Sequence, residues 1–214
     1  MSSTLTLTLN TTPTQAESLS ALQRLFSEAC NALAPVVKDS KCWNRVALHH
    51  LAYKGLRERF PQLGSQMVCN AIYSVSRSAR IVYQHPQSPW NVAREPAKAL
   101  PLLNFLPTAP VYFDRHTLSL KAGQLSLFTL DGRIRFQLNL SAADERFFGQ
   151  SKLREIVLNR SKDRFVLQFQ FADADDPPEL GSAGWTELPE YLLVFPDEPG
   201  IYAAVASPFN ENVL

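Results

Sequence analysis

Cysteine and charged residues are scarce in this sequence. Only three cysteines occur among 214 residues, Cys30, Cys42 and Cys69, and no two of them form a C-x-x-C pair. An odd number of widely spaced cysteines indicates neither a disulfide framework nor a zinc ribbon, and we interpret them as small buried apolar residues. Charged residues make up 19% of the chain, but the hydrophobic content of 45% is enough for a folded core. We therefore predict one medium-sized folded domain or two small ones.

Long apolar runs are also missing. The longest apolar stretch covers residues 99–106 and is interrupted by Pro101 and Asn104, so it is far shorter than the roughly 20 residues that cross a bilayer. The first residues alternate threonine and leucine, without the basic region and the continuous apolar region of a secretory signal. The sequence therefore predicts a cytoplasmic protein with no membrane partner.

The common catalytic motifs are absent. The chain contains no P-loop, no G-x-G-x-x-G, no G-x-S-x-G and no H-E-x-x-H. His49 and His50 are adjacent, so on a helix they point about 100° apart and cannot share a metal ion. One acidic cluster, Asp173, Asp175 and Asp176, has the chemistry to hold Mg²⁺ in a hydrolase, but its members fall in one turn, which favours a solvated loop. We predict no catalytic residue, no metal site and no cofactor, and hence a protein that is not itself an enzyme.

Charge is balanced overall but partitioned along the chain. The 21 basic and 20 acidic residues give a net charge of +1. Residues 41–169 carry 19 basic and 8 acidic groups, whereas residues 170–214 carry nine acidic groups and no basic group. This asymmetry indicates a polyanion-binding region followed by an acidic segment. We expect the acidic segment either to cover the basic surface when no polyanion is bound or to dock a partner protein.

Hydrophobic periodicity predicts three helices in the first half of the chain. Apolar residues recur there at spacings of three and four, as in amphipathic helices. In the second helix we expect Val46 and Leu51 to face the core, and in the third we expect Arg77 and Arg80 to be exposed. The predicted helices run from Glu17 to the residue before Pro35, from Asn44 to Phe60, and from a cap at Ser65 to about Val82.

The remaining pattern predicts strands. Six prolines between residues 86 and 110 indicate an irregular connector, after which the apolar period changes to two. Asp131-Gly132 predicts the turn of one hairpin, and residues 159–163 are expected to turn a second. The predicted strands are Thr4–Asn10, Val111–Phe113, Leu118–Leu120, Leu125–Leu130, Arg133–Leu138, Glu155–Leu158, Arg164–Phe171, Tyr191–Phe195 and Ile201–Val205.

This order of elements predicts an α+β protein. It fits a small antiparallel, OB-like β-barrel with a helical bundle inserted after its first strand. Residues 1–13 and 93–206 are predicted to form the barrel, and residues 14–92 the inserted helical lobe.

Basic residues are interleaved with aromatic and hydroxyl residues in both parts. Arg133 and Arg135 alternate with Ile134 and Phe136, which places both arginines on the face opposite the core. Arginine matches phosphate oxygens and stacks on bases, so such faces suit nucleic acid; solvated basic faces are the ordinary alternative. The candidate nucleic-acid-binding residues are Arg57, Arg59, Arg77 and Arg80 in the helices and Arg133, Arg135, Arg154, Arg160, Lys162 and Arg164 in the strands.

Three segments resemble a known family. They read L-R-E-R-F-P-Q-L-G-S-Q-M-V-C-N-A-I at 56–72, S-L-F-T-L-D-G-R-I-R-F at 126–136 and L-R-E-I-V-L-N-R-S-K-D-R-F-V-L-Q-F-Q-F at 153–171. Together with the order of strand, helical insertion and barrel, they resemble the N-terminal half of the TnpB family of transposon-associated RNA-guided nucleases and the related type V CRISPR effectors. The first segment resembles the family's recognition lobe, and the other two resemble its wedge domain.

The resemblance implies a guide-RNA-binding and target-DNA-recognising protein. In the family these two domains grip the guide RNA and read a short DNA motif that flanks the target, and a RuvC-like nuclease domain follows; this sequence has no counterpart of that domain. We therefore expect a nuclease-lacking protein of CRISPR defence or transposition, either half of a split effector with a RuvC-type partner chain or an RNA-guided DNA binder. The alternatives are a protein-interaction adaptor or inhibitor that uses the acidic segment, and the Mg²⁺-dependent hydrolase.

Overall fold

Three helices follow a short first strand in the computed structural model. Strand β1 spans Ser3–Thr8, and the helices are α1, Pro13–Ser40, α2, Arg45–Arg59, and α3, Gly64–Tyr83; one turn of 3-10 helix, Pro61–Leu63, joins the last two. The structure describes residues 3–121, 123–138, 140, 141, 143, 144, 148, 152–172, 190–195 and 202–204.

Nine further strands follow the helices in the part of the chain that the structure describes. They are β2, Leu102–Phe105, β3, Val111–Phe113, β4, Leu118–Lys121, β5, Gln124–Thr129, β6, Gly132–Gln137, β7, Lys152–Ser161, β8, Arg164–Ala172, β9, Tyr191–Val194, and β10, Tyr202–Ala204. The ten strands form three antiparallel sheets with the orders β1-β8-β7-β3, β10-β9-β2 and β4-β5-β6. The α+β class is therefore confirmed, while among the described residues no sheet closes into a barrel.

Local sequence signals fix the starts of the first two helices. The Thr12 hydroxyl accepts a hydrogen bond from the Gln15 backbone N–H at 3.2 Å, and the Gln15 side chain accepts one from the Thr12 N–H at 2.9 Å. This reciprocal arrangement is a capping box, which satisfies two N–H groups that the helix itself leaves free. Asn44 caps α2 in a similar way, because its side-chain oxygen accepts from the N–H groups of Val46 and Ala47.

The four-stranded sheet has one apolar and one polar face. Leu167 of β8 pairs with Leu7 of β1 on one side and with Leu158 of β7 on the other, and this face joins the apolar residues of α1 in one core. Alternation along β7 turns Glu155 and Val157 to the opposite face. Helix α3 packs against β3 on this second face, so the site described below lies between a helix and the polar side of a sheet.

Three predicted helix boundaries are wrong. Helix α1 begins at Pro13 rather than at Glu17, and it continues through Pro35 to Ser40. Proline removes one intrahelical hydrogen bond. Ala34, just before it, and Val37, two residues after it, are buried, and their burial favours continuation of the helix. Ser65 does not cap α3, which begins at Gly64 directly from the preceding 3-10 turn and has no side-chain cap.

The predicted inward face of α2 is confirmed at Leu48, Leu56 and Phe60 and wrong at Val46 and Leu51. Val46 and Leu51 are 65% and 57% exposed, and only Leu48 and Leu56 of this helix are buried. A helix that presents two leucines to the core makes a narrow contact, so α2 lies on the surface of the helical part.

Both predicted hairpins exist, but their turns differ from the prediction. Thr129 pairs with Gly132, so the first turn is Leu130-Asp131 rather than Asp131-Gly132. Gly132 closes it with φ of 118°, a conformation that disfavours side chains. In the second hairpin Ser161 pairs with Arg164, so the strands extend further than predicted and only Lys162 and Asp163 form the turn.

The proline-rich connector contains a strand that the sequence did not indicate. Strand β2, Leu102–Phe105, lies between Pro101 and Pro107 and pairs with β9 at the edge of its sheet. An edge strand needs partners on one side only, which is compatible with flanking prolines.

Lys41 ends α1 in a left-handed conformation, with φ of 50° and ψ of 32°. Glycine adopts this conformation without the steric cost that a Cβ atom imposes. We expect Lys41→Gly to raise the free energy of unfolding by about 0.5–1 kcal/mol, measured by urea denaturation. Lys41→Ala keeps the Cβ atom and serves as the control; an equal gain in that variant would contradict the conformational explanation.

Candidate nucleic-acid interface

A polar stripe on α3 bonds this helix to the strands. The Gln66 amide donates to the Asp114 carboxylate, and the Asn70 amide donates to the Tyr112 carbonyl at 3.0 Å. One turn further on, the Tyr73 hydroxyl donates to Glu155 of β7. These bonds fix the position of α3 against the strands, because each buried polar group loses its water on burial and depends on its partner.

Arg77 continues this stripe into the interior. Its side chain is 10% exposed, its Nε atom lies 3.9 Å from Glu155 Oε1, and its Nη1 atom lies 3.8 Å from Glu190 Oε2. The guanidinium also lies 5.8 Å from the centre of the Tyr112 ring. The prediction of an exposed basic face on α3 is therefore wrong at Arg77, which holds a helix and two strands together.

The ionisation of this cluster follows from burial. Burial raises the pKa of Glu190, and the opposite charge of Arg77 limits that rise. Burial also raises the pKa of Tyr112, so its hydroxyl stays protonated. For Arg77, burial disfavours the charged form, but the carboxylates of Glu190 and Glu155 raise its pKa above the ordinary value, so the buried guanidinium stays protonated.

A first group of basic residues lies where α2, α3 and the Asp114 turn meet. The Cys69 thiol is close enough to Arg45, Arg57 and Asp114 for their charges to act on its pKa, which burial raises. The Arg45 guanidinium lies 5.2 Å from the centre of the Tyr73 ring, as in a cation–π contact.

Arg133 extends this group from the neighbouring sheet. Its guanidinium donates to the Ser126 hydroxyl and carbonyl at 3.0 and 2.9 Å and to the His116 carbonyl at 3.2 Å. His116 belongs to the Asp114 turn, because its N–H donates to the Asp114 carboxylate. We call Arg45, Arg57 and Arg133 the helix-side basic surface.

A second group surrounds the tip of the hairpin that joins β7 and β8. Lys162 and Arg164 are exposed there, and the Arg160 guanidinium lies 5.6 Å from the centre of the Phe165 ring. The Phe165 carbonyl accepts from the Leu9 N–H, which places the tip beside the segment that follows β1. Arg135 lines a cleft with that same segment. We call Arg135, Arg160, Lys162 and Arg164 the hairpin-side basic surface.

Strand β6 connects the two surfaces. Arg133 and Arg135 are both exposed, while Phe136 is buried, which confirms their predicted position opposite the core. Residues two apart on a strand lie about 7 Å from each other on the same face. One side of each guanidinium can therefore contact the same phosphodiester chain.

The other three candidates lie outside these surfaces. Arg59 is exposed and lies 5.3 Å from the centre of the Phe60 ring. Arg80 is half-buried, and its Nε atom is buried without a hydrogen bond. Arg154 is exposed where the pairing of β7 with β8 shifts register between Leu153 and Glu155.

Five cations of these surfaces are exposed, and Arg57 and Arg160 are half-buried. Between residues that the structure describes, ion pairs form at Arg77 alone, so none of these cations has a described carboxylate partner. Unpaired arginines and lysines that lie near one another produce a positive potential that attracts polyanions. The acidic cluster at Asp173, Asp175 and Asp176 lies outside the described residues, as does most of the acidic segment.

The sequence did not indicate that Tyr73 and Glu190 belong to a buried polar cluster. The spacing of Gln66, Asn70, Tyr73 and Arg77 is helical and polar, and this stripe was the available signal for a buried polar contact. The carboxylate partners come from distant strands, and no local pattern indicates them.

No protein-family model matches the chain, and no curated protein is significantly similar to it. The helices that the structure describes include none with the length and apolar character of a membrane span. Across the same described residues, no three histidine, cysteine or acidic side chains are grouped for metal binding.

Proposed function

We propose that this protein binds nucleic acid, as the guide-RNA-binding and target-DNA-recognising part of a TnpB-like or type V CRISPR effector. The observation that carries the proposal is the pair of basic surfaces linked through β6, whose exposed cations have no carboxylate partner among the described residues. Phosphate binding releases counterions from the nucleic acid and favours such surfaces.

The aromatic contacts of the surface arginines support the same function. Arg45 and Arg160 each lie near a ring, Tyr73 and Phe165 respectively. A guanidinium held in this way keeps its planar donors in a defined orientation for phosphate or for stacking on a base. The rings of His49 and Tyr53 on α2 are stacked at 4.5 Å and 19° and provide a further aromatic surface beside Arg57.

The finer assignment is part of the proposal. The helices act as a recognition lobe, and the strands act as a wedge-like barrel. A separate RuvC-type chain supplies any cleavage, because nuclease chemistry is not predicted for this sequence. The resemblance of residues 56–72, 126–136 and 153–171 to that family supports these assignments.

Purification from the native host tests the proposal. We expect the protein to copurify with RNA of recurring sequence, detected by absorbance at about 260 nm and by sequencing, and released by about 1 M salt because screening shortens to about 3 Å. Recovery of the protein without nucleic acid from a low-salt preparation would contradict the proposal.

A protein-interaction adaptor is the second candidate. The acidic segment favours it, because residues 170–214 carry nine acidic groups and no basic group and such a segment can engage a basic groove on a partner protein. The same purification separates the two, because an adaptor would yield a stoichiometric protein partner and no RNA.

A further inference from the structure

A polar cleft lies between the end of β1, the start of α1 and β6. Its volume is about 320 Å³ and its lining is mostly polar. Of its three apolar residues, Leu7 is half-buried, and Phe136 and Leu138 are buried. Two larger clefts occur in the described structure. The cleft of about 520 Å³ has a mostly apolar lining, and the cleft of about 620 Å³ combines Arg59 with the carboxylate of Glu28. The β1–β6 cleft has an arginine, three side-chain amides and no carboxylate in its lining.

The polar lining consists of Asn10, Gln15, Arg135 and Gln137, together with Thr8. Gln15 is already engaged, because its amide serves the α1 capping box and donates to the Arg135 carbonyl. Asn10 and Gln137 are exposed and form no hydrogen bond with another described residue. Two side-chain amides and one guanidinium without a hydrogen-bond partner among the described residues therefore line this cleft.

These groups match one class of ligand. A side-chain amide offers a donor and an acceptor side by side, which is the pattern that adenine presents on its edge. The half-buried side chain of Leu7 offers an apolar contact for the face of a base, and the Arg135 guanidinium suits its phosphate. The hairpin-side cations Lys162 and Arg164 lie beyond the segment that follows β1, where the neighbouring phosphates of a strand would run.

We propose that the β1–β6 cleft binds one unpaired adenine nucleotide of the bound strand, with Asn10 and Gln137 on the base and Arg135 on the phosphate. This inference rests on the proposed function and adds base selectivity to it. The interface would then make two kinds of contact. The cations would bind phosphates of any sequence, and the amides would select the base.

Fluorescence anisotropy with labelled single-stranded RNA tests the cleft. The probes are a 12-nucleotide uridine strand and the same strand with one central adenosine. We expect the adenosine strand to bind about tenfold more tightly. In the double variant Asn10→Ala, Gln137→Ala, that preference should disappear while affinity for the uridine strand and its salt dependence stay unchanged.

Gln124→Ala is the matched control. Gln124 pairs with Gln137 across β5 and β6 and is equally exposed, but it does not line the cleft, so its substitution should keep the adenosine preference. Equal binding of both strands by the unaltered protein, or a preference that survives in the double variant, would overturn the cleft assignment and leave nucleic-acid binding intact. Saturation by adenosine monophosphate alone at micromolar concentration would overturn the assignment to a strand. Failure of both strands to bind at low salt would overturn the proposed function as well.

Discussion

Replacement of Arg77 by methionine is expected to lower the free energy of unfolding by about 3–5 kcal/mol at about pH 8. The methionine fills much of the volume but leaves Glu155 and Glu190 without the cation that lies 3.9 and 3.8 Å from them. Two carboxylates would then share a buried site, which costs far more than the loss of the ion pair itself. Urea denaturation followed by circular dichroism measures this change.

The pH dependence of the stability of Arg77→Met shows whether the buried carboxylates cause the loss of stability. Burial raises the pKa of Glu190 above its value of 4.5 in a free side chain. Between pH 4.5 and this raised pKa, Glu190 therefore keeps its proton in the native state but has released it in the unfolded state. Stability therefore falls as pH rises through this window and is greatest below it. Loss of Arg77 raises the Glu190 pKa further and widens the window, so the variant should regain part of its lost stability at about pH 5.

Two further variants show whether the loss of stability in Arg77→Met comes from charge or from packing. Arg80→Met changes an arginine of the same helix that has no described carboxylate partner, and we expect a loss of less than about 1 kcal/mol without recovery at acid pH. Adding Glu155→Gln and Glu190→Gln to Arg77→Met should restore most of the stability, since neutral amides need no cation. A loss in Arg77→Met that is the same at both pH values and persists in the triple variant would show that packing alone is responsible.

Removal of six surface cations is expected to weaken binding of single-stranded RNA by about 10³-fold at about 50 mM salt. It should also reduce the slope of log affinity against log salt by about four, since each phosphate contact on a single strand contributes about 0.7. Isothermal titration at several salt concentrations measures both quantities. The substitutions, each to glutamine, are at Arg45, Arg57, Arg133, Arg135, Lys162 and Arg164.

A control variant tests whether the loss of RNA affinity depends on where the cations lie or only on the net charge. Arg24, Lys38 and Arg94 lie in α1 and the connector, outside both basic surfaces, and their change to glutamine also removes three positive charges. We compare it with the change of Arg135, Lys162 and Arg164 alone. Equal weakening in the two triple variants would contradict the assignment of the interface to these surfaces.

The acidic segment includes residues that the fold needs. Truncation after Phe171 would remove β9, which pairs with β2, and Glu190, which contacts Arg77. Such a truncation would disturb the fold together with the charge. Substitution of Asp173, Asp175 and Asp176 by asparagine removes charge without removing a strand, so it addresses the expected masking of the basic surface.

Local patterns predicted most elements because their causes are local. The cap at Asn44 and the alternation of Arg133 with Ile134 depend on neighbouring residues. The capping box at Thr12 is equally local but was not predicted, so the predicted start of α1 at Glu17 was four residues late. The continuation of α1 through Pro35 and the pairing of β2 with β9 depend on distant residues. Tertiary burial can outweigh the local cost of a proline, and a strand becomes stable only beside its partner.

The sequence by itself determined the α+β class, the surplus of positive charge over residues 41–169 and the outward position of Arg133 and Arg135. Only the tertiary structure decided which cations remain exposed. It buries Arg77 between Glu155 and Glu190 and leaves the two surfaces joined through β6 without carboxylate partners among the described residues. The physical reason is that periodicity indicates which face of a helix or strand a side chain occupies, whereas its exposure and ion pairing depend on what packs against that face.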